Sequence, residues 1–172
     1  MSASASGFMT AEEIQVLLSY NPDTGVFTWN QDRGTRPFKG RIAGTLSPEG
    51  YVRIGIKGKI YPAHRLVFFL LEGVWPDCVD HINHDRQDNR VCNLRKANRQ
   101  QNARNRKPNA KSTSIYLGVH KHRDKWRAQL RTPQKQYHLG VFTDEVAAAK
   151  AYDHAAKTHY GVYANLNFKE DV

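Results

Sequence analysis

The clearest rhythm of apolar and polar positions lies between residues 114 and 168. There Trp126, Ala128 and Leu130 alternate with Arg127, Gln129 and Arg131, the two-residue period of a half-buried strand. Runs at 115–121 and 136–142 flank it and predict a sheet of three short strands. The period then lengthens. Ala147, Ala148, Ala151, Tyr152, Ala155 and Ala156 recur at three and four residues, which predicts a helix from 144 to about 159, capped by Thr143, with a small-residue face for close packing. Upstream the signals are shorter. Residues 11–18 read as a helix, 26–29 and 51–56 as strands, and Gly25, Gly34, Gly50 and Gly58 as turns. The apolar run 63–71 predicts a largely buried helix that ends before Gly73 and Pro76.

Residues 78–106 have a different texture, dense in His, Asp, Asn and Arg. Val79 and Ile82 anchor a short strand, 85–89 is turn chemistry, and Asn93-Leu94-Arg95 starts a second strand returning beside the first. Residues 99–106 have helix-forming composition and close a β-β-α unit. Pro108 and Asn109 end it, so a linker begins near residue 107.

Charge adds a partner to this picture. The chain carries 26 Lys and Arg against 16 Asp and Glu, a formal +10, and such an excess points to a polyanion, most commonly nucleic acid. Arg95, Lys96, Arg99, Arg104, Arg106, Lys107 and Lys111 follow one another with no carboxylate between them, as expected of a track along phosphates. No stretch approaches the roughly 18 apolar residues of a membrane span, and no obligate protein partner is evident. Residues 1–8 read as a flexible leader without the features of a secretory signal. Two cysteines without a C-x-x-C spacing, Cys78 and Cys92, suggest reduced thiols and a cytoplasmic setting. Cys92 is expected to be a small buried residue.

The polar zone also suggests chemistry. Strand and helix of a β-β-α unit face each other, so Asp80 and Asn102 could give two oxygen ligands to one hard cation. By strand periodicity His81 lies on the opposite face unless the backbone bulges. Hydrolysis of a phosphodiester needs a water to lose a proton, which a neutral imidazole accepts near neutral pH. It also needs charge neutralised on the phosphoryl group and leaving oxygen, which a divalent cation does. A zinc site from Cys78, His81, His84 and Cys92 is the rival reading, but the spacing matches no zinc pattern. His64 and His84 read as ordinary polar residues that hold the unit together.

Asp80-His81, Asp88-Asn89-Arg90, Asn93-Leu94-Arg95 and Gln100-Gln101-Asn102 together resemble the HNH endonuclease family, particularly its phage and intron-encoded homing type, over roughly residues 61–106. The resemblance implies His81 as general base, Asp80 and Asn102 as ligands of Mg²⁺ (with Mn²⁺ as a substitute), and Asn93 as the asparagine that braces the loop. Asn98 and Asn105, one turn away, are the alternatives to Asn102. Residues 114–168 resemble the Apetala-type DNA-binding domain of plant ethylene-response factors. Tyr116-Leu117-Gly118-Val119, Trp126-Arg127-Ala128, Leu139-Gly140-Val141-Phe142, Ala151-Tyr152-Asp153 and Ala164-Asn165-Leu166-Asn167-Phe168 carry that likeness. It implies that His120, His122, Arg127, Gln129, Arg131 and His138 face DNA. Arg131 retains a family arginine and Gln129 replaces an acidic residue. His120, His122 and His138 stand where relatives carry arginine or tryptophan, and Leu117 replaces an arginine, so the preferred site is expected to differ.

The combined expectation is an α+β chain. A nuclease domain of the ββα-metal kind spans 9–106, with its core at about 78–106. A basic linker follows at 107–113, and a three-stranded antiparallel sheet packed on one helix at 114–168. The expected activity is site-directed cleavage of double-stranded DNA in the cytoplasm, that of the bacterial host for a phage-encoded chain. The alternative is a non-catalytic DNA-binding regulator with an inactive nuclease fold.

Overall fold

The computed structural model of the chain describes residues 9–32, 37–105 and 112–168. These residues form an α+β structure built from small antiparallel sheets and four α-helices. The chain divides into two compact units, Met1–Arg99 and Gln100–Val172. No helix among the described residues is long and apolar enough to cross a membrane.

The first unit opens with α1 (Ala11–Leu17). Thr10 and Glu13 form a capping box, each satisfying a backbone N–H of the other's residue. The hairpin β1 (Leu18–Asn21) and β2 (Val26–Trp29) follows directly, its turn held by Asn21 Oδ1, which accepts from the amides of Asp23 and Thr24. Strands β3 (Thr45–Leu46), β4 (Val52–Ile56) and β5 (Lys59–Pro62) form a second sheet in that order. Helix α2 (Ala63–Glu72) continues from β5 without a side-chain cap and ends at Gly73. Ile14, Leu18, Phe27, Ile54, Ile56, Leu66 and Val67 are buried together where α1, α2 and the two sheets meet. Each such side chain contributes about 1.5–3 kcal/mol through its burial. Against this core lies the hairpin of β6 (Cys78–His81) and β7 (Leu94–Ala97), with a 3₁₀ turn at Val91–Asn93 leading into β7.

At the division lies the short helix α3 (Arg99–Arg104). The second unit has a sheet ordered β10-β9-β8, from β8 (Val119–His122), β9 (Lys125–Arg131) and β10 (Gln136–Phe142), and helix α4 (Glu145–Tyr160) packs on it. Val119, Ala128, Ala148 and Ala149 are fully buried between sheet and helix. Three details differ from the sequence reading. Asp144, not Thr143, caps α4, its carboxylate accepting from the Ala147 amide at 2.7 Å. The first strand starts at Val119 rather than near 115, because Gly118 sits at φ +71° and breaks the extended run. The helix buries Ala149 with Ala148 and Ala156, and Ala147 is only partly covered. The segment after α4 is pinned by Asp153, whose carboxylate accepts from the amides of Asn167 and Phe168. Asn167 in turn bonds the backbone of Leu117.

Candidate active site

Four buried polar residues cluster around the β6–β7 hairpin: Asp80, His81, Asn89 and Asn93. The register places Asp80 directly opposite Arg95 and His81 opposite Leu94. Arg95 donates from Nε and Nη2 to Oδ2 of Asp80, at 2.8 and 2.7 Å. Both donors converge on one carboxylate oxygen in a charge-assisted pair. Both Asp80 and His81 are buried, so neighbours cover both faces of the strand.

The loop between the strands is built around Asn93. Its Oδ1 accepts from the Asn83 amide at 3.0 Å and its Nδ2 donates to the Asp88 carbonyl at 2.8 Å. The Ile82 amide donates to the Asn93 carbonyl and the His84 amide to the His81 carbonyl. The loop therefore turns sharply right after His81, with His84 in the left-handed region at φ +64°. Asp88 is clamped by Arg90, whose guanidinium holds the Asp88 carboxyl down at about 2.

Asn89 fixes the His81 ring. Its Nδ2 donates to the Gln87 carbonyl at 3.0 Å, which leaves Oδ1 to face His81 Nε2 at 3.3 Å. An oxygen in that place accepts, so the neutral tautomer that pairs with Asn89 is the one protonated at Nε2. Burial lowers the His81 pKa from its ordinary value, opposed by the Asn89 contact and by the charges of Asp80, Asp85 and Asp88. At neutral pH the ring is therefore uncharged, the form a general base requires.

Two further rings share this space. His64, from the first turn of α2, meets His81 edge to face with centroids 5.1 Å apart. Tyr51 lies 5.1 Å from His64 and 5.9 Å from His81. Burial pushes His64 down to about 3, and its Nδ1 has no hydrogen-bond partner among the described residues. The unfolded chain takes up this proton as pH falls through 6.5, while the folded chain resists until about 3. Stability is thus complete above 6.5 and is lost as pH falls, by up to about 1.4 kcal/mol per pH unit. Urea unfolding at pH 7 and pH 5 should show this loss, and His64→Phe should reduce it. An unchanged pH dependence in His64→Phe would contradict the assignment.

The N-terminal hairpin supports the site from behind. Tyr20 donates its phenol to the Asn89 carbonyl at 2.8 Å, and burial pushes that phenol up to about 12, so it remains a donor. Gly25, at φ +71°, lies so close that a Cβ there would stand 2.5 Å from the Arg90 nitrogen and 2.6 Å from the Asn89 carbonyl carbon. Gly25→Ala should therefore displace the backbone that aims Asn89 at His81, at a cost of about 1–3 kcal/mol. Its cleavage rate should fall more than its DNA affinity, and equal losses of the two would contradict this link.

The other site residues distribute as follows. Asn102 lies half-buried on α3, in the second unit. Arg99 is exposed at the start of α3 and Arg104 lies at its end, whereas Arg106, Lys107 and Lys111 fall outside the described residues. Cys92, expected to be buried, is exposed, because the 3₁₀ turn directs Asn93 rather than Cys92 inward. Among the described residues no group of three or more His, Cys, Asp or Glu could hold a metal ion, and this includes the set Cys78, His81, His84 and Cys92. A cation of the magnesium type binds through one or two carboxylates with waters and substrate phosphates. The carboxylate of Asp80 is the kind of ligand such a cation takes, and Arg95 already holds its Oδ2.

In the second unit, His120, His122, Arg127, Gln129, Arg131 and His138 share one sheet face, opposite Ala128 and Leu130. Register pairs His120 with Arg127 and His138 with Gln129. An Arg127 Nη2 donor lies 2.7 Å from His122 Nδ1, and Gln136 donates to Gln129 Oε1 at 2.8 Å.

Sequence reasoning missed Asn89, Tyr51 and Gly25 as site components. Asn89 stands inside the Asp-Asn-Arg triplet, a signal that was available; Tyr51 and Gly25 lie far along the chain and carry none.

Comparison with known proteins finds two kinds of likeness. The HNH endonuclease family model matches residues 61–104. The dehydration-responsive element-binding protein 2E of Arabidopsis thaliana is 43% identical over 58 residues, 28% of this chain and 24% of that protein. An AP2-like ethylene-responsive transcription factor of the same plant is 40% identical over 70 residues, 34% of this chain and 16% of that protein. The chain therefore spans less than a quarter of the length of either relative. These matches support an architecture that joins an HNH endonuclease domain to an AP2-like region.

Proposed function

We propose that this chain is a divalent-metal-dependent endonuclease of the homing type that cuts double-stranded DNA at sites read by the sheet of its second unit. The observation that carries the reading is the His81 ring, buried, uncharged at neutral pH and oriented by Asn89 beside the buried carboxylate of Asp80. In this scheme Nδ1 of His81 takes the proton from the attacking water. Asp80 holds the cation, Mg²⁺ with Mn²⁺ as a substitute, and the second oxygen ligand is assigned to Asn102 by resemblance alone. When bound, such a cation would supply charge neutralisation for the phosphoryl group and leaving oxygen. Asn93 keeps the loop after His81 in the shape that presents the ring.

The two plant proteins that this chain resembles are described as an element-binding protein and a transcription factor. Carried to this chain, that supports a DNA-reading role for the face bearing His120, His122, Arg127, Gln129, Arg131 and His138. Arginine suits guanine and glutamine suits adenine in the major groove. Arg95, Arg99, Arg104, Arg106, Lys107 and Lys111 are proposed to hold phosphates. The Arg95 pairing with Asp80 makes it the member of that group with a competing role. A phage-encoded enzyme of this kind works in the host cytoplasm without an obligate protein partner.

Incubating the full chain with supercoiled plasmid tests the reading. Mg²⁺ should convert the plasmid to nicked or linear form, a chelator should stop this, and excess Mg²⁺ should restore it. Tight DNA binding with no cleavage under Mg²⁺ or Mn²⁺ would favour the non-catalytic regulator instead.

A further inference from the structure

The β6–β7 hairpin carries three arginines, two in its loop and one on β7, and two of the three have a carboxylate partner. Arg90 is bound to Asp88 and Arg95 to Asp80. Among the described residues Arg86 has no carboxylate within ion-pair distance; it shares the field of the Glu49 carboxylate, whose direct partner is Arg53 at 2.9 Å. Asp85, next in sequence, uses its carboxylate to accept from the Gln87 amide. Arg86 is nonetheless held in place. Its Nη1 donates to the Glu49 carbonyl at 2.7 Å, and its guanidinium lies 4.8 Å above the Tyr51 ring. The same ring packs on His64 and His81, so a fixed, exposed cation sits one side chain away from the candidate base.

A guanidinium that is immobilised without a direct ion pair is prepared for an anion from outside the chain. It has five N–H donors, of which the Glu49 carbonyl takes one, and its planar fork matches two phosphate oxygens at once. Stacking on Tyr51 lowers the entropy lost when a ligand is gripped. We propose that Arg86 is a substrate-binding residue that holds a DNA backbone phosphate next to the one cleaved at His81, with the Tyr51 ring setting the spacing between clamp and base. The proposal rests on the nuclease reading above but is tested separately from it.

The experiment measures affinity of the full chain for a duplex without divalent metal, over a series of salt concentrations, for the parent, Arg86→Ala and Arg86→Lys. Losing one phosphate contact should make the slope of log affinity against log salt shallower by about 0.9. Affinity of Arg86→Ala should fall about ten-fold. Arg86→Lys should recover the slope but only part of the affinity, because an ammonium cannot make the paired contact. In cleavage, Arg86→Ala should raise KM more than it lowers kcat. A parental salt slope in Arg86→Ala would overturn the proposal even if cleavage fell, since Arg86 would then only brace Tyr51. A parent that binds DNA without cutting it, while Arg86→Ala still flattens the slope, would support the phosphate clamp and sink the nuclease reading instead.

Discussion

Replacing His81 by alanine should lower DNA cleavage about 10²–10⁴-fold, the range lost when a positioned general base is removed. DNA affinity should stay close to that of the parent. The ring is buried and directed inward by Asn89, so it adds little to the surface that grips phosphates. Alanine also removes a ring packed against His64 and Tyr51, so some stability is lost as well. His81→Gln separates the two effects, since it restores volume but accepts no proton at neutral pH. It should fold like the parent and cut like His81→Ala. Single-turnover cleavage rates at saturating protein, with binding measured in parallel, check this. Parental rates in either variant would place the base elsewhere.

Gly118→Ala should cost the second unit its fold. A Cβ at this position would lie 2.0 Å from Cδ2 and 2.4 Å from Cε2 of Tyr152, and 2.6 Å from the Gln129 carbonyl oxygen. The tyrosine belongs to α4 and the carbonyl to β9, so neither neighbour yields without opening the helix–sheet interface. The backbone at φ +71° adds strain of its own. Overpacking and strain together come to about 2–6 kcal/mol, a large share of what a unit this small possesses. The same glycine accepts the Gln129 amide at 2.8 Å, so the strand that carries Arg127, Gln129 and Arg131 would shift with it. Thermal unfolding followed by near-ultraviolet circular dichroism should lose the transition of this unit. High-affinity DNA binding should disappear with it. A parental unfolding profile would show that Tyr152 can move aside, contrary to the packing described.

Much of this was legible in the sequence for identifiable reasons. The alternation of Trp126, Ala128 and Leu130 with Arg127, Gln129 and Arg131 works because a strand with one wet face writes its geometry into consecutive residues. The hairpin around Asp80 and His81 was readable from turn residues flanked by short apolar anchors. Strand β1 was not, because Leu18-Ser19-Tyr20-Asn21 follows α1 without any break in composition. Cys92 shows the same limit: one 3₁₀ turn decides which of two adjacent residues points inward. The support around His81 was the least visible part. Tyr20 reaches Asn89 across 69 positions, Gly25 meets the backbone of Asn89 and Arg90, and Tyr51 arrives from the turn just before β4. Such contacts follow from how layers pack, which no local periodicity encodes. Thr143 and Asp144 are both good caps, and only the geometry shows that Asp144 reaches the Ala147 amide.

The most direct test of the whole account is to sequence the DNA ends released from one natural substrate by three proteins: the parent, His81→Ala, and a triple alanine variant at Arg127, Gln129 and Arg131. Base-edge contacts contribute about 1–3 kcal/mol each to discrimination, while the backbone and metal carry little sequence information. The account predicts ends concentrated at a few sites for the parent and almost none for His81→Ala. The triple variant should give ends scattered along the substrate at high protein concentration. Ends at the parental sites from the triple variant would contradict reading by the sheet, and parental yields from His81→Ala would contradict catalysis at His81.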